Sequence, residues 1–340
     1  MENHSTERDT RSAPSDELTA ENLRLISKYD LHVHLNGAIP TGLAKELLEP
    51  IKHELPEGFD LERDLQVLKP VGNLQEYFRP WLGLKQLPRG RDCLKKMVFG
   101  ALSLLRKDNV EYVELRNSPF NIAQLNGILL PEALEWLVDI LIDATTKLGI
   151  SAVLVLSVSR YNFSLERAHE LLDAIKITNP KEYVVALDLS GNEDSPISDG
   201  VSKTFCKAKD DLGLGITVHA GETGNIKNIE WAINSCKADR IAHGLAASQS
   251  QKMMDMLRER DICLEICLST NLKTRSVETI DLHPILNFIQ FGVPFVLCSD
   301  NPAINGSLLS DEYALFGKTT GRYDIVSDMK TMQMRYAFRR

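Results

Sequence analysis

The sequence lacks several features that mark particular classes of protein. Its six cysteines include no Cys-x-x-Cys pair, and two of them fall inside one apolar run, so we expect reduced thiols in a cytoplasmic protein. No apolar run reaches the roughly 20 residues that cross a bilayer, which predicts a soluble protein. Lysine and arginine number 39 against 47 acidic residues, and the formal charge of -8 supplies no basic field. We therefore expect neither nucleic acid nor a membrane as a partner.

The amino-terminal stretch, residues 1–18, also lacks the apolar segment of a secretory signal. It is polar and mixes acidic residues with arginine, so we predict a flexible tail. With 43% hydrophobic residues, the rest of the chain is long enough to bury one large core. We predict a single domain over residues 19–340.

Short β-branched or aliphatic runs alternate with amphipathic stretches along this domain. The predicted strands cover residues 30–34, 110–115, 152–158, 183–189, 215–219, 240–243, 262–268 and 294–298. The predicted helices cover residues 91–107, 131–147, 165–175, 225–236, 248–258 and 283–291. Such alternation builds a parallel sheet, and eight repeats close a barrel. We therefore predict an α/β fold of the (β/α)8 TIM barrel type.

The first connection is too long for a simple helix, since roughly 75 residues separate the first two strands. We predict a helical insertion at about 41–108. Its middle carries Tyr77, Phe78, Trp81 and Leu82. These side chains either form an apolar lid over the barrel mouth or attach the insertion to the barrel.

Ionisable residues lie at the ends of four predicted strands. His32 and His34 lie two apart on the first strand, so both side chains point to the same side. His219 ends the fifth strand, His243 ends the sixth, and Asp300 lies at the end of the eighth. The carboxyl ends of the strands form the catalytic face of barrel enzymes. We therefore expect these five side chains to meet, whereas His4, His53, His169 and His283 are expected to take no part in chemistry.

Imidazole nitrogens combined with one carboxylate suit Zn²⁺ or a similar first-row ion. We predict one zinc per chain on His32, His34, His219 and Asp300, with water in the remaining position. Such a water loses a proton near neutral pH. His243 is predicted to orient that water or to take its proton, and the alternative is a buried neutral histidine.

Glu222 follows His219 by about one turn. A protonated glutamate can donate to a ring nitrogen of a heterocycle and make the amino-bearing carbon electrophilic, as in the zinc deaminases that act on bases. The alternative is a structural carboxylate that binds loop amides. We predict a catalytic acid.

Five segments of the sequence resemble the adenosine deaminase family. They are HVHLNGA at 32–38, DLSGNE at 188–193, HAGE at 219–222, HG at 243–244 and SDNP at 299–302, with weaker similarity from about 27 to about 338. The resemblance implies a zinc hydrolase of purine salvage in the cytoplasm, with the four metal ligands named above. It also implies that Glu222 protonates purine N1, that His243 acts on the zinc water and that the N–H of Gly191 contacts purine N3. A tight turn after the fourth strand would require the same glycine.

Two departures from the family pattern concern the substrate. The family places a second aspartate where this chain has Asn301, whose amide can still donate to purine N7. Asn36 stands where the family usually has an aspartate near the ribose 5′-hydroxyl, which removes a repulsion against a 5′-phosphate. In this feature the chain resembles the branch that deaminates N6-modified AMP. The chain also ends soon after residues 335–338, so we expect a shortened carboxyl end.

Several functions remain open at this point. A purine nucleoside, adenosine or 2′-deoxyadenosine, is the first candidate substrate. AMP or N6-methyl-AMP is the second, and a modified or free aminopurine is the third. Two-metal amidohydrolases bridge their metals with a carboxylated lysine on the fourth strand. The fourth predicted strand here contains no lysine, so this class is disfavoured. A non-catalytic nucleoside-binding or signalling module is disfavoured because every predicted ligand and Glu222 are present.

Overall fold

The computed structural model describes residues 20–338 except 162, 181, 196 and 199. The predicted tail, 1–18, lies outside the described residues. The strands are β1 (Lys28–His34), β2 (Val110–Asn117), β3 (Ser151–Ser159), β4 (Val184–Ser190), β5 (Gly215–Ala220), β6 (Arg240–His243), β7 (Cys263–Ile266) and β8 (Phe295–Leu297). They form one sheet in the order β1 to β8, and each neighbouring pair is parallel. The predicted barrel is confirmed.

Backbone hydrogen bonds between β1 and Asp300, three residues after β8, join the two ends of the sheet. Val33 pairs with Asp300 in a parallel bridge. The Asp300 N–H donates to the His32 carbonyl at 2.8 Å, and the His34 N–H donates to the Asp300 carbonyl at 2.8 Å. The closure of the barrel therefore places Asp300 between the two histidines of β1.

Helices surround the barrel. Those before β3 are α1 (Ala20–Arg24), α2 (Thr41–Leu48), α3 (Leu74–Tyr77), α4 (Trp81–Leu84), α5 (Arg91–Lys107), α6 (Pro119–Asn126) and α7 (Leu130–Leu148). Those after β3 are α8 (Ser164–Thr178), α9 (Gly200–Leu212), α10 (Ile226–Asn234), α11 (Gln251–Glu259), α12 (Leu268–Lys273), α13 (Ile285–Phe291), α14 (Pro302–Asn305), α15 (Leu309–Thr320) and α16 (Tyr323–Tyr336). Short 3-10 turns cover Asn36–Ala38, Glu49–Glu54, Leu245–Gln249 and Ile280–Leu282. The six helices predicted by range correspond to α5, α7, α8, α10, α11 and α13, and α2 to α4 lie in the predicted helical insertion. Helices α1, α6, α9, α12 and α14 to α16 were not among those predicted.

Apolar patterning explains how strands and helices share the core. The middle of β3 is buried as a continuous run, which is typical of a parallel strand that is covered on both faces. In α7 the buried residues recur at helical spacing, as Ala133, Leu134, Leu137, Ile140, Leu141 and Ala144. Gly149 then ends α7 in the left-handed region, where φ is 62°, a conformation that a residue without Cβ adopts at little cost. The main core lies between the barrel and its helices.

A second, smaller apolar cluster is formed mostly by the segment between β1 and α5, together with one residue of α5 and one of α14. Its buried members are Ile39, Ala44, Leu48, Leu61, Leu65, Val67, Tyr77, Leu84, Leu87, Met97 and Ile304. Within it the Tyr77 hydroxyl donates to Asn305 Oδ1 at 3.0 Å. The predicted aromatic stretch therefore packs against the barrel in part, while Phe78 stays 36% exposed.

Among the described residues, none of the helices combines the length and the apolar character that crossing a bilayer requires.

Candidate active site

Histidine side chains from three strands meet at the carboxyl end of the barrel. The Nε2 atoms of His32 and His34 on β1 are 3.3 Å apart. The His219 ring at β5 lies 4.9 Å from the His32 ring and 5.4 Å from the His34 ring, centroid to centroid. The His243 ring at β6 lies 5.4 Å from the His32 ring and 5.5 Å from the His219 ring. The structure thus brings the four histidines named from the sequence to one place.

Asp300 completes this cluster. Its Oδ1 lies 3.4 Å from the Nε2 atoms of both His32 and His34. The backbone of Asp300 has φ of 57° and that of His243 has φ of 65°, in the left-handed region that side chains with a Cβ rarely adopt. Such strain is concentrated at functional sites, where the surrounding structure maintains it.

Two buried carboxylates, which the sequence reasoning did not single out, lie next to the Nδ1 atoms of two of these rings. Asp188 Oδ1 on β4 lies 2.9 Å from Nδ1 of His219, and Glu265 Oε2 on β7 lies 3.0 Å from Nδ1 of His32. Histidines that bind metals commonly engage a carboxylate through the other ring nitrogen, which fixes the ring and directs its lone pair. Both rings therefore present Nε2 to the centre of the cluster.

The charge states of His34 and Asp300 fit a cation. Burial lowers the pKa of His34 to about 3, so its ring is neutral at pH 7. Burial disfavours the Asp300 carboxylate, but its hydrogen bond with His32 and the charge of that ring hold the Asp300 pKa well below its usual value. One donor atom each from His32, His34 and Asp300 lie within 4.8 Å of one another, as do those of His32, His219 and His243. These nitrogen and carboxylate donors suit a divalent metal.

Glu222 lies beside the cluster, in the loop after β5. Its Oε2 is 3.7 Å from Nε2 of His243, and its side chain is 13% exposed. Burial, together with the charges of Asp300 and Glu193, raises the pKa of Glu222 to about 8. A carboxyl group of this kind is mostly protonated at pH 7 and can donate a proton.

A second carboxylate holds the loop that carries Glu222. Glu193 accepts hydrogen bonds from the backbone N–H of Gly221, at 2.6 Å, and from that of Thr223. It also accepts one from Asn228 Nδ2 at 3.0 Å. The structural role that we considered for Glu222, binding loop amides, is thus performed by Glu193.

A column of buried charges runs down the barrel axis beneath the cluster. Arg116 on β2 donates to Asp188 at 3.1 Å and to Glu265. Arg240 on β6 donates to Glu265 at 2.7 Å and to Glu114. Each of these side chains is at most 1% exposed. Because every charge has an opposite partner, the column is compatible with burial.

The carboxyl-terminal segment covers the lower end of this column. The Phe338 ring lies 3.8 Å from the guanidinium carbon of Arg240. The Phe338 N–H donates to Glu114 Oε1 at 2.7 Å. The network therefore extends from the floor of the barrel to His32.

We expect Glu265→Gln to lower the free energy of unfolding by about 3–5 kcal/mol, because it leaves two buried guanidinium groups without their shared carboxylate. Urea unfolding measures this change. Glu259→Gln, the same exchange at an exposed position of α11, should change the value by less than about 0.5 kcal/mol. Equal stability of the two variants would show that the column does not support the fold.

A cavity of about 400 Å³ borders the cluster on the side of His34. Asn36 and Trp81 line it, and the Asn36 side chain donates to the Leu84 carbonyl at 3.0 Å. The insertion therefore forms part of the cavity wall. None of the described residues that line this cavity carries a carboxylate. Two of the lining residues, Lys85 and Arg167, are cationic.

The remaining substrate positions predicted from the sequence lie at the same end of the barrel. Gly191 directly follows β4 with φ of 93°, next to Ser190, which lines the cavity. Asn301 is buried, and its Nδ2 donates to the Tyr77 hydroxyl at 3.3 Å. Asn301 Oδ1 has no hydrogen-bond partner among the described residues. A Cβ at Gly37 would lie 2.1 Å from this oxygen, so glycine at 37 is what lets the amide fit.

The buried charged residues beneath the cluster could be recognised only weakly from the sequence. Glu265 is a single charge in an apolar run, whereas Arg116 lies near the end of β2 and Arg240 begins β6. A charge inside such a run requires a buried partner. The sequence does not show which partner each charge takes.

Comparisons with known proteins agree with this geometry. The adenosine deaminase family model matches residues 27–335. The adenosine deaminase of Edwardsiella ictaluri (strain 93-146) is 32% identical over 299 residues, which is 86% of this chain and 87% of that protein. The crystal structure of the Arabidopsis N6-mAMP deaminase superposes with a TM-score of 0.82 at 25% identity, over 94% of this chain and 95% of that chain. The ADAL–IMP complex gives 0.81 at 25% identity, over 94% of each chain.

The family match covers the barrel from β1 to α16 and includes every residue of the cluster. The resemblance stated from the five sequence segments is therefore confirmed. The chain belongs to the adenosine deaminase family, and it is a hydrolase that acts on carbon–nitrogen bonds of cyclic amidines.

Proposed function

We propose that this chain is a zinc-dependent deaminase that converts adenosine or 2′-deoxyadenosine to inosine or 2′-deoxyinosine and ammonia. The observation that carries the proposal is the convergence of three histidines and Asp300 beside Glu222, a carboxyl group that is protonated at neutral pH. The curated relatives that match over most of the chain are adenosine deaminases. Free thiols at all six cysteines support a cytoplasmic location.

His32, His34, His219 and Asp300 are the residues that would hold the metal. Three nitrogens and one carboxylate oxygen suit zinc among the first-row ions. Zinc bound there supplies a nucleophile from water at neutral pH. Asp188 and Glu265 keep the His219 and His32 rings in the orientation that binding requires.

Glu222 is the acid of the reaction in this proposal. Its proton passes to purine N1, which draws electrons from C6 and makes that carbon susceptible to attack. His243, 3.7 Å away, acts on the attacking water. Its ring is buried, and burial lowers its pKa well below the usual value, so His243 enters the reaction neutral.

Three further residues would position the purine. The backbone N–H of Gly191 would bind N3, and its φ of 93° is one that a residue without Cβ adopts at little cost. The Asn301 amide would donate to N7 with the N–H that Tyr77 leaves free. Asn36 would face the ribose 5′ position, where it lines the cavity with His34.

The proton on Glu222 predicts a pH dependence of kcat. The protonated form is active, so activity is present below the pKa of about 8 and is lost as the pH rises through it. We expect kcat to fall by about tenfold for each further pH unit. A pH–rate profile at saturating adenosine tests this. A kcat that stays level up to pH 10, or that rises with pH, would remove Glu222 as the acid.

A nucleotide substrate is the second candidate, and the lining of the cavity favours it. Lys85 and Arg167 line the cavity beside Asn36, and the Arg167 guanidinium carbon lies 4.4 Å from the Phe120 ring centroid. Stacking on a ring fixes the direction of the guanidinium group. Cations without a facing carboxylate would accept a 5′-phosphate.

A substrate panel separates the two candidates. We expect adenosine to give a higher kcat/KM than AMP, N6-methyl-AMP or adenine. Turnover of each compound is measured by the loss of ultraviolet absorbance. If AMP or N6-methyl-AMP is preferred, Asn36→Asp should lower kcat/KM for that nucleotide by about tenfold or more through charge repulsion. Asn36→Ser is the matched control, since it removes the amide without adding a charge. No turnover of any compound would favour a non-catalytic binding module instead.

A further inference from the structure

The ring nitrogen of His243 that faces away from the metal cluster is held by a buried amide. His243 Nδ1 lies 3.2 Å from Nδ2 of Asn271, a residue of α12 that is fully buried. On its other side, Asn271 Oδ1 lies 3.3 Å from Nε2 of His283. The sequence predicted no chemical part for His283, whereas the structure places it two hydrogen bonds from His243.

The direction of these hydrogen bonds follows from one fixed donor. The backbone N–H of Ile285 donates to His283 Nδ1 at 3.1 Å, so this nitrogen carries a lone pair. A neutral imidazole has one protonated nitrogen, and in His283 it is Nε2. Burial lowers the pKa of His283 to about 4, which keeps the ring neutral at pH 7.

The fixed proton on His283 then orients the amide of Asn271. His283 Nε2–H donates to Asn271 Oδ1, which leaves Nδ2 to donate to His243 Nδ1. A reversed amide would place two donors against each other at His283. His243 Nδ1 is therefore an acceptor, and the proton of this neutral ring lies on Nε2, the atom that faces Glu222.

We propose that Asn271 and His283 are positioning residues that hold His243 in its Nε2–H tautomer, so that His243 serves deamination as a hydrogen-bond donor and not as a base. A base would need a lone pair on Nε2, and the relay places that lone pair on Nδ1. The donor orients the attacking oxygen and stabilises negative charge as it develops there. The part played in the reaction rests on the proposed function, whereas the tautomer does not.

Nitrogen NMR reads the tautomer directly in the zinc-loaded protein. With ¹⁵N-labelled histidine, long-range proton–nitrogen spectra distinguish a protonated from an unprotonated ring nitrogen, and the His243→Gln spectrum identifies the His243 signals. We expect a protonated Nε2 and an unprotonated Nδ1. An unprotonated Nε2 in the unaltered protein would overturn the proposal.

Asn271→Asp supplies the sharpest variant. A carboxylate accepts hydrogen bonds from both neighbours, so the proton of His243 should move to Nδ1. We expect this exchange in the spectrum, unchanged zinc content, and a kcat about 10- to 100-fold lower with KM retained. An unchanged His243 tautomer in this variant would contradict the relay.

His283→Leu provides a second route, because it removes the donor that orients Asn271. Mixed His243 tautomers and a kcat about tenfold lower are expected. Leu286→Val is the matched control, since it changes an exposed side chain beside the same turn, and it should leave tautomer and kcat unchanged. Equal kcat in His283→Leu and Leu286→Val would overturn the positioning role. If the unaltered protein does not deaminate adenosine, the proposed function fails while the tautomer result stands.

Discussion

Glu222→Gln should retain bound metal and lose between about 10²- and 10⁴-fold in kcat, which is the range that general acids contribute. Glutamine keeps the size of the side chain and its ability to donate a hydrogen bond, but it cannot transfer a proton to purine N1. The predicted metal ligands are untouched, because Glu222 contacts the cluster through His243 at 3.7 Å. Steady-state kinetics with adenosine, together with metal analysis of the same sample, measure both quantities.

The control for this variant is Glu230→Gln, the same exchange on the exposed face of α10. It should leave kcat within error of the unaltered protein. Retention of full turnover by Glu222→Gln would exclude Glu222 from the mechanism. Loss of metal together with turnover would instead assign Glu222 to the binding of the ion.

Asp300→Ala should lower both metal content and activity. The substitution removes the one carboxylate among the four proposed ligands and leaves His32 and His34 without the anion that lies 3.4 Å from each. We expect well under one metal per chain after dialysis and a kcat/KM lower by about 10³-fold or more, since the nucleophile is no longer generated at neutral pH.

Elemental analysis of dialysed protein and kinetics before and after zinc addition test this expectation. Asp328→Ala, at an exposed position of α16, is the matched control. An unchanged metal content in Asp300→Ala would show that Asp300 is not a ligand. Recovery of full activity in excess zinc would show that the carboxylate contributes affinity alone.

The barrel and the cluster could be predicted because both depend on local sequence periods. A buried parallel strand reads as a short apolar run, and a catalytic residue at its carboxyl end follows directly. The alternation of His32 and His34 on β1 placed both rings on one side. The strand after α11 was predicted over residues 262–268 but covers only Cys263–Ile266, and Leu268 begins α12.

The orienting residues could not be paired from sequence, because their partners come from distant strands. Arg116 and Glu265 are 149 positions apart, and only the closure of the barrel brings them together. Likewise, His283 gave no pattern of its own, since its position near His243 depends on how the chain after β7 folds back. From one sequence, a residue such as His283 is judged only by its residue type. The type does not show whether a histidine caps a helix or hydrogen-bonds to an active-site residue.

Helix α9 was missed although its apolar residues do have helical spacing. Val201, Phe205 and Ala208 are buried at intervals of four and three, but lysine and aspartate fill half of the remaining positions. Polar residues with proline and glycine precede α9. The sequence of residues 200–212 therefore does not distinguish a loop from a helix until its packing against β5 is known.

The axial charge column has a consequence for attempts to engineer heat resistance. Substitutions on the floor of the barrel, near Arg240 and Phe338, act on Glu265 and through it on the ring of His32. We therefore expect tolerance to heating and retention of a bound ion to be coupled, although the two regions lie at opposite ends of the strands. Libraries that vary the floor of the barrel should be selected for both heat tolerance and metal retention. A variant chosen for its melting temperature alone can be stable but inactive.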